Sequence, residues 1–189
     1  MIYIIKTETG IRARIWVDHQ FQSVCPCIET LSVSVRSSDS SYDNHRSVAV
    51  ELFLPKDADN YAFLGAFYKS EIRGTLDVTV NVSTGAGLVF EDHIAHINEL
   101  VRFGIPEFYA KSITEFFVEK SKSYDFKSGR LNFYIGAHAE IGSSVSMFKK
   151  VCQILLELCE AEEVSESVII RMLKDNLKTN SNIIVNTET

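Results

Sequence analysis

Three stretches alternate apolar and polar residues one for one, and that pattern limits the fold more than anything else in the chain. "IRARIWV" sets Ile11, Ala13, Ile15 and Val17 against Arg12, Arg14 and Trp16. "ETLSVSVRS" sets Leu31, Val33 and Val35 against serines, and "LDVTVNV" turns Leu76, Val78, Val80 and Val82 inward. Side chains of an extended chain point to opposite faces in turn, so a period of two marks strands with one buried face. Such strands need a layer to cover that face.

The second half of the chain supplies it. "GIPEFYAKSITEFFVEK" predicts a helix with Pro106 at its first position, where a missing amide costs nothing. Glu107 near its start and Lys120 and Lys122 near its end suit the helix dipole, and Tyr109, Ala110, Ile113, Phe116 and Phe117 form its apolar face. "GRLNFYIGA" reads as a strand. "SSVSMFKKVCQILLELC" follows as a long helix, with a stripe of Phe148, Val151, Cys152, Leu155, Leu158 and Cys159. "SESVIIRMLKDNL" predicts another helix capped by Ser165, with Val168, Met172 and Leu173 inward. The opening "MIYII" is a first strand, and the tail either adds a strand at Ile183–Val185 or frays. Strands early and helices late give an α+β class.

Three readings are more local. Residues 29–54 predict a hairpin across the turn-rich "SSDSSYDNH", residues 37–45. Asp57 or Asp59 is positioned to cap a short helix through "NYAFLGAFYKS". In "LVFEDHIAHINELVRF", Ile94, Ile97, Leu100 and Val101 have helical spacing although "LVF" begins as a strand, so strand and helix both stay open there.

Hydrophobic residues make up 46% and charged residues 23% of 189, which supports an ordered core. No apolar run approaches the roughly 20 residues of a membrane span. Lys6 and Glu8 interrupt the first apolar patch, so it is not read as a secretory signal, and a cytoplasmic location is expected. The formal charge of −6, with scattered Lys and Arg, points to a protein partner over a broad nucleic-acid surface. A local basic patch that touches nucleic acid stays open. Cys25 and Cys27 in "CPC" are too close for a comfortable bridge, and Cys152 and Cys159 share a helix stripe. Neither pair has zinc-site spacing, so free, mostly buried thiols are expected, with no cofactor and no metal.

The richest polar cluster is "GAHAEIGSS", where a strand turns into a helix. Gly136, His138, Glu140, Gly142, Ser143 and Ser144 form the candidate binding loop. Ser143 or Ser144 would cap the helix. The same free amides could hold an anion, although the glycine pattern of a phosphate loop is missing. His138 and Glu140, two apart, could serve as an acid–base pair for a hydrolase, but no activated nucleophile accompanies them. His93 and His96, beside Glu91 and Asp92, would share a helix face as metal ligands, with no third ligand specified. The cap and plain surface histidines are the favoured readings, so no catalytic residue is assigned.

Residues 78–151 resemble domain IV of bacterial elongation factor G, the factor that moves tRNA and mRNA through the ribosome. The likeness rests on "VTVNV", "VFED", "GIPEFY" and "IGAHAEIGSSVSMF" in that order, with Gly136, Glu140, Ile141, Ser143, Ser144 and Phe148 matching without a gap. Ala139 stands where the family has its tip histidine, His138 where it has tyrosine, and Gly142 where it has aspartate. The resemblance implies a ribosomal protein S5 domain 2-like core over 71–160, a mostly antiparallel sheet with amphipathic helices packed on one face. It leaves 1–70 as a β-rich N-terminal part, in the same domain or apart, and 161–189 as a C-terminal helix and tail. It also implies a non-enzymatic binding protein associated with the ribosome or a translation factor. An immunity or antitoxin-type inhibitor of a basic protein is the alternative that size and acidic charge support.

Overall fold

The computed structural model describes residues 1–19, 21, 25–38, 44–56 and 58–188. Its alternating stretches pair as strands of one sheet. β1 (Ile2–Thr7) and β2 (Arg12–Val17) form an antiparallel hairpin whose turn places Gly10 at φ 85°, a conformation glycine adopts without penalty. β3 (Glu29–Ser38), β4 (His45–Phe53), β5 (Tyr61–Ser70) and β6 (Thr75–Val82) follow, then the short β7 (Val101–Phe103). The remaining elements are α1 (Glu107–Lys120), β8 (Phe126–Lys127), β9 (Gly129–Ala139), α2 (Val145–Glu160), α3 (Glu166–Leu177) and β10 (Ile183–Glu188).

The strands run β10-β1-β2-β4-β5-β9-β6-β3-β8 across a ten-stranded sheet, with β7 also paired to β9. Only β6–β9 and β3–β8 are parallel among the described pairs. The class is α+β with a mostly antiparallel sheet, and strands from residues 1–70, 71–160 and 161–189 all join it. β9 lies between β5 and β6 and takes β7 along its last three residues.

All three helices bury their apolar stripes in one cluster with Val48, Val50, Leu52, Leu64, Leu131 and Phe133. α2 crosses β4 and β5, α1 lies on β3 and β6, and α3 leans on α2. Fully burying Phe148 or Leu155 stabilises by about 1.5–3 kcal/mol each. The opposite pleat of the central strands forms a second cluster of Trp16, Ala49, Phe53, Tyr61, Phe63 and Ala137. Among the described residues no helix contributes to it; the segment 90–103 and Phe21 pack there instead.

Two local expectations are corrected, and a stretch left open between strand and helix is resolved. Residues 61–70 are strand β5, not a helix; Asp57 lies outside the described residues, and Asp59 precedes a strand. β5 is buried on both faces from Tyr61 to Ala66, so its continuous apolar run carries no alternation to mark it. β3 and β4 do not form a hairpin: β3 pairs with β6, and β4 with β2 and β5. The turn-rich connection between them is described only at residues 37, 38, 44 and 45. Residues 91–100 form turns, with a bridge at Val89 and strand β7 on either side, so the helical spacing there is not used.

Candidate functional site

The strand-to-helix loop is built almost wholly from groups that hold it together. Ser144 caps α2, its Oγ accepting the Met147 amide at 3.3 Å. Ser143 Oγ accepts the Ala139 amide at 2.9 Å and donates to the Tyr61 carbonyl at 2.7 Å, which ties the loop to the start of β5. The Gly142 carbonyl accepts two amides, from Asn60 at 2.7 Å and Tyr61 at 2.9 Å. A side chain at Gly142 would meet the Asn60 side-chain oxygen and approach Glu99. Gly136 is equally confined between Ile105 and the Phe63 carbonyl, and it walls a cavity of about 20 Å³ beside Cys25, Cys27 and Tyr134. That volume holds about one water.

His138 and Glu140 do not face each other as an acid–base pair. His138 is buried, its Nδ1 at 3.4 Å from the Gly104 carbonyl and its ring 6.0 Å from that of Tyr109. Burial lowers its pKa, only partly offset by the Gly104 carbonyl and by Glu140. Glu140 points outward and takes Arg102 Nε at 3.1 Å. His93 and His96 lie in the turns of 91–100 and not on a helix. The His93 ring stands edge-on to Tyr61 at 6.3 Å, while His96 is exposed. Among the described residues no group of three His, Cys, Asp or Glu side chains is placed to hold a metal ion. No disulfide joins the four cysteines; Cys152 and Cys159 are buried, Cys25 is half-buried and Cys27 exposed.

Sequence reasoning missed the polar centre beside this loop. Glu51 is fully buried in β4. Its Oε2 takes Arg14 Nε at 2.7 Å, and its Oε1 takes Tyr61 Oη at 2.8 Å and the Ile94 amide at 2.9 Å. Arg14 also reaches the Asp92 carboxylate at 2.8 Å and the Asp92 carbonyl. Burial alone would lower the Arg14 pKa, but Glu51 and Asp92 outweigh it, so the guanidinium stays charged. Burial, reinforced by Glu51, pushes the Tyr61 hydroxyl well up, so it remains a donor. The signal was a lone glutamate inside the apolar run "VAVELFL", opposite Arg14 of a neighbouring strand.

This centre fastens 90–100 to the sheet, and the two loops then meet at one rim. Phe103 donates to the Leu88 carbonyl, Phe90 to Val101, and Glu140 to Leu100. Ile97 is 90% exposed and Ile141 83%, with Leu88, Val89 and Leu100 exposed as well. Glu91, Asp92, Glu99 and Glu140 stand among them; of these Glu140 is paired to Arg102 and Asp92 to Arg14. Compared with family models, curated proteins and solved structures, the chain matches none.

Proposed function

We propose that this chain is a non-enzymatic binding protein that recognises a basic partner protein through the rim of residues 88–100 and 140–142. The carrying observation is that Gly142, Ser143 and Ser144 are engaged in architecture, while Ile97 and Ile141 stand bare among carboxylates. Exposed apolar side chains ringed by charge are the anatomy of a recognition patch. Acidic residues around it steer a basic surface and repel phosphate. The buried Arg14–Glu51 pair supports the same reading, because it holds the rim rigid before binding.

The order β6, α1, β9, α2 is what supports a ribosomal protein S5 domain 2-like core, and with it a translation partner in the cytoplasm. Among the described residues no helix is long and apolar enough to cross a membrane. A ribosomal protein or translation factor is therefore the first partner class, and a basic toxin held by an immunity-type inhibitor is the second. Both would use the same acidic rim.

Sedimentation of tagged protein with ribosomal particles at low salt tests the first. Co-sedimentation that Ile97→Asp and Ile141→Asp abolish is expected, and complete absence from those fractions defeats the ribosomal version. A basic protein co-purifying from the same cells in a rim-dependent manner would instead select the inhibitor reading. Binding that ignores both rim substitutions removes the site altogether.

A further inference from the structure

The geometry points to a second copy of this chain docking along β3 and α1, an inference independent of the rim. Among the described residues, β6 is the only strand paired with Glu29–Arg36. The backbone shows which groups face away from it. Ser37 donates inward to Gly74, whereas the Ser38 carbonyl turns outward to accept from Ser128 beside β8. Amides and carbonyls alternate sides along an antiparallel strand, so Thr30, Ser32, Ser34 and Arg36 continue the outward row where β8 has ended. Natural edges are commonly blunted by proline, bulges or inward charges. Residues 29–36 hold no proline, and their register with β6 runs without a break.

Above this edge lies α1, which packs on β3 and β6 through Ala110, Ser112, Ile113 and Phe117. Phe108, Lys111, Glu115 and Val118 are all exposed. Their spacing of three, seven and ten residues puts them on one face. The opposite flank of α1 meets α2, with Tyr109 stacked on Phe148 and Glu119 paired to Lys149, and β3 lies on the side of α1 away from α2, so this face turns toward the β3 edge.

Each layer is self-complementary under a two-fold rotation. Two β3 strands running antiparallel around Val33 place Leu31 opposite Val35 on the helix side, and Ser32 opposite Ser34 on the other. Thr30 then meets Arg36, and no like charges oppose. A two-fold rotation about the middle of α1 sets Phe108 against Val118 and Lys111, which Glu107 of its own helix also holds, against Glu115. Apolar meets apolar and cation meets anion, twice over, as an isologous interface requires. A second copy accounts for edge and helix stripe together. An unrelated strand would pair the edge but leave this helix pattern unexplained.

Sedimentation velocity of the full chain across the micromolar range tests it. The mass should move from 21.3 kDa toward twice that value. Ser32→Pro deletes one outward amide at an edge, where proline is tolerated, and should leave a folded monomer. Lys111→Glu and Glu115→Lys should each raise the dissociation constant by about tenfold, and the double exchange should restore it. Circular dichroism verifies that each variant is folded. A wild-type chain that stays monomeric throughout overturns the proposal. So does a dimer indifferent to Ser32→Pro and to both charge reversals.

Discussion

Glu51 carries the sharpest energetic consequence of any single side chain described. A carboxylate wholly out of water persists because Arg14, Tyr61 and the Ile94 amide all meet it. Glu51→Gln should leave the half-buried Arg14 without its main counter-charge and lower stability by about 3–5 kcal/mol, read from urea unfolding. The paired change Arg14→Met with Glu51→Leu should recover much of that loss, because it removes both charges at once. His138 makes a prediction in pH. Its folded pKa lies below the ordinary value near 6.5, so the folded state resists a proton that the unfolded chain accepts. Its stabilising contribution is therefore present above that value and fades as pH falls through it toward the folded pKa. Melting temperatures between about pH 7.5 and 5 should show this decline, and His138→Gln should flatten it. Of these residues the sequence flagged His138 as polar and central, but its burial follows from β7 and the turn at Gly104, which pattern alone does not position.

Elements were legible where one face meets water. β3, β6 and all three helices carry clean periodicity because solvent sits on their other side, and β2 alternates because its second face holds Arg12 and Arg14 beside Trp16. β5 was not, since burial on both pleats erases the polar half of the pattern and leaves apolar spacing that a helix could equally have. β3 and β4 each read correctly as strands, yet their pairing did not, because register with a neighbour is decided by the whole sheet and not by the intervening turn. Capping was legible to within one residue: Ser144 holds α2, while the Ser165 side chain turns to Ser167 instead of an α3 amide. Ser144→Ala should accordingly cost about 1 kcal/mol in thermal or urea unfolding. Gly87 supports a different test. A methyl group there would strike the Phe103 carbonyl, so Gly87→Ala should displace the 88–90 segment. Rim binding should fall sharply while the helix-side core keeps its protection from hydrogen exchange.

The molecule as a whole hides its centre in the second half of its chain. β9 contacts β5 and β7 antiparallel and β6 parallel, and its core side chains are fully buried. Native-state hydrogen exchange should therefore be slowest in β4, β5 and β9 and fastest in β10, whose outer side has no strand neighbour among the described residues. The class and the covering helices could be anticipated from alternation followed by amphipathic periodicity. The strand order could not, because no local feature says that residues 129–139 insert between 61–70 and 75–82. That insertion matters for a chain emerging from the ribosome. Until residue 139 has left the exit tunnel, β5 and β6 each present a bare inner border, and the nascent protein is two half-sheets with nothing to join them. Stalled or truncated chains ending before β9 should aggregate or recruit chaperones, while those ending just beyond α2 should not.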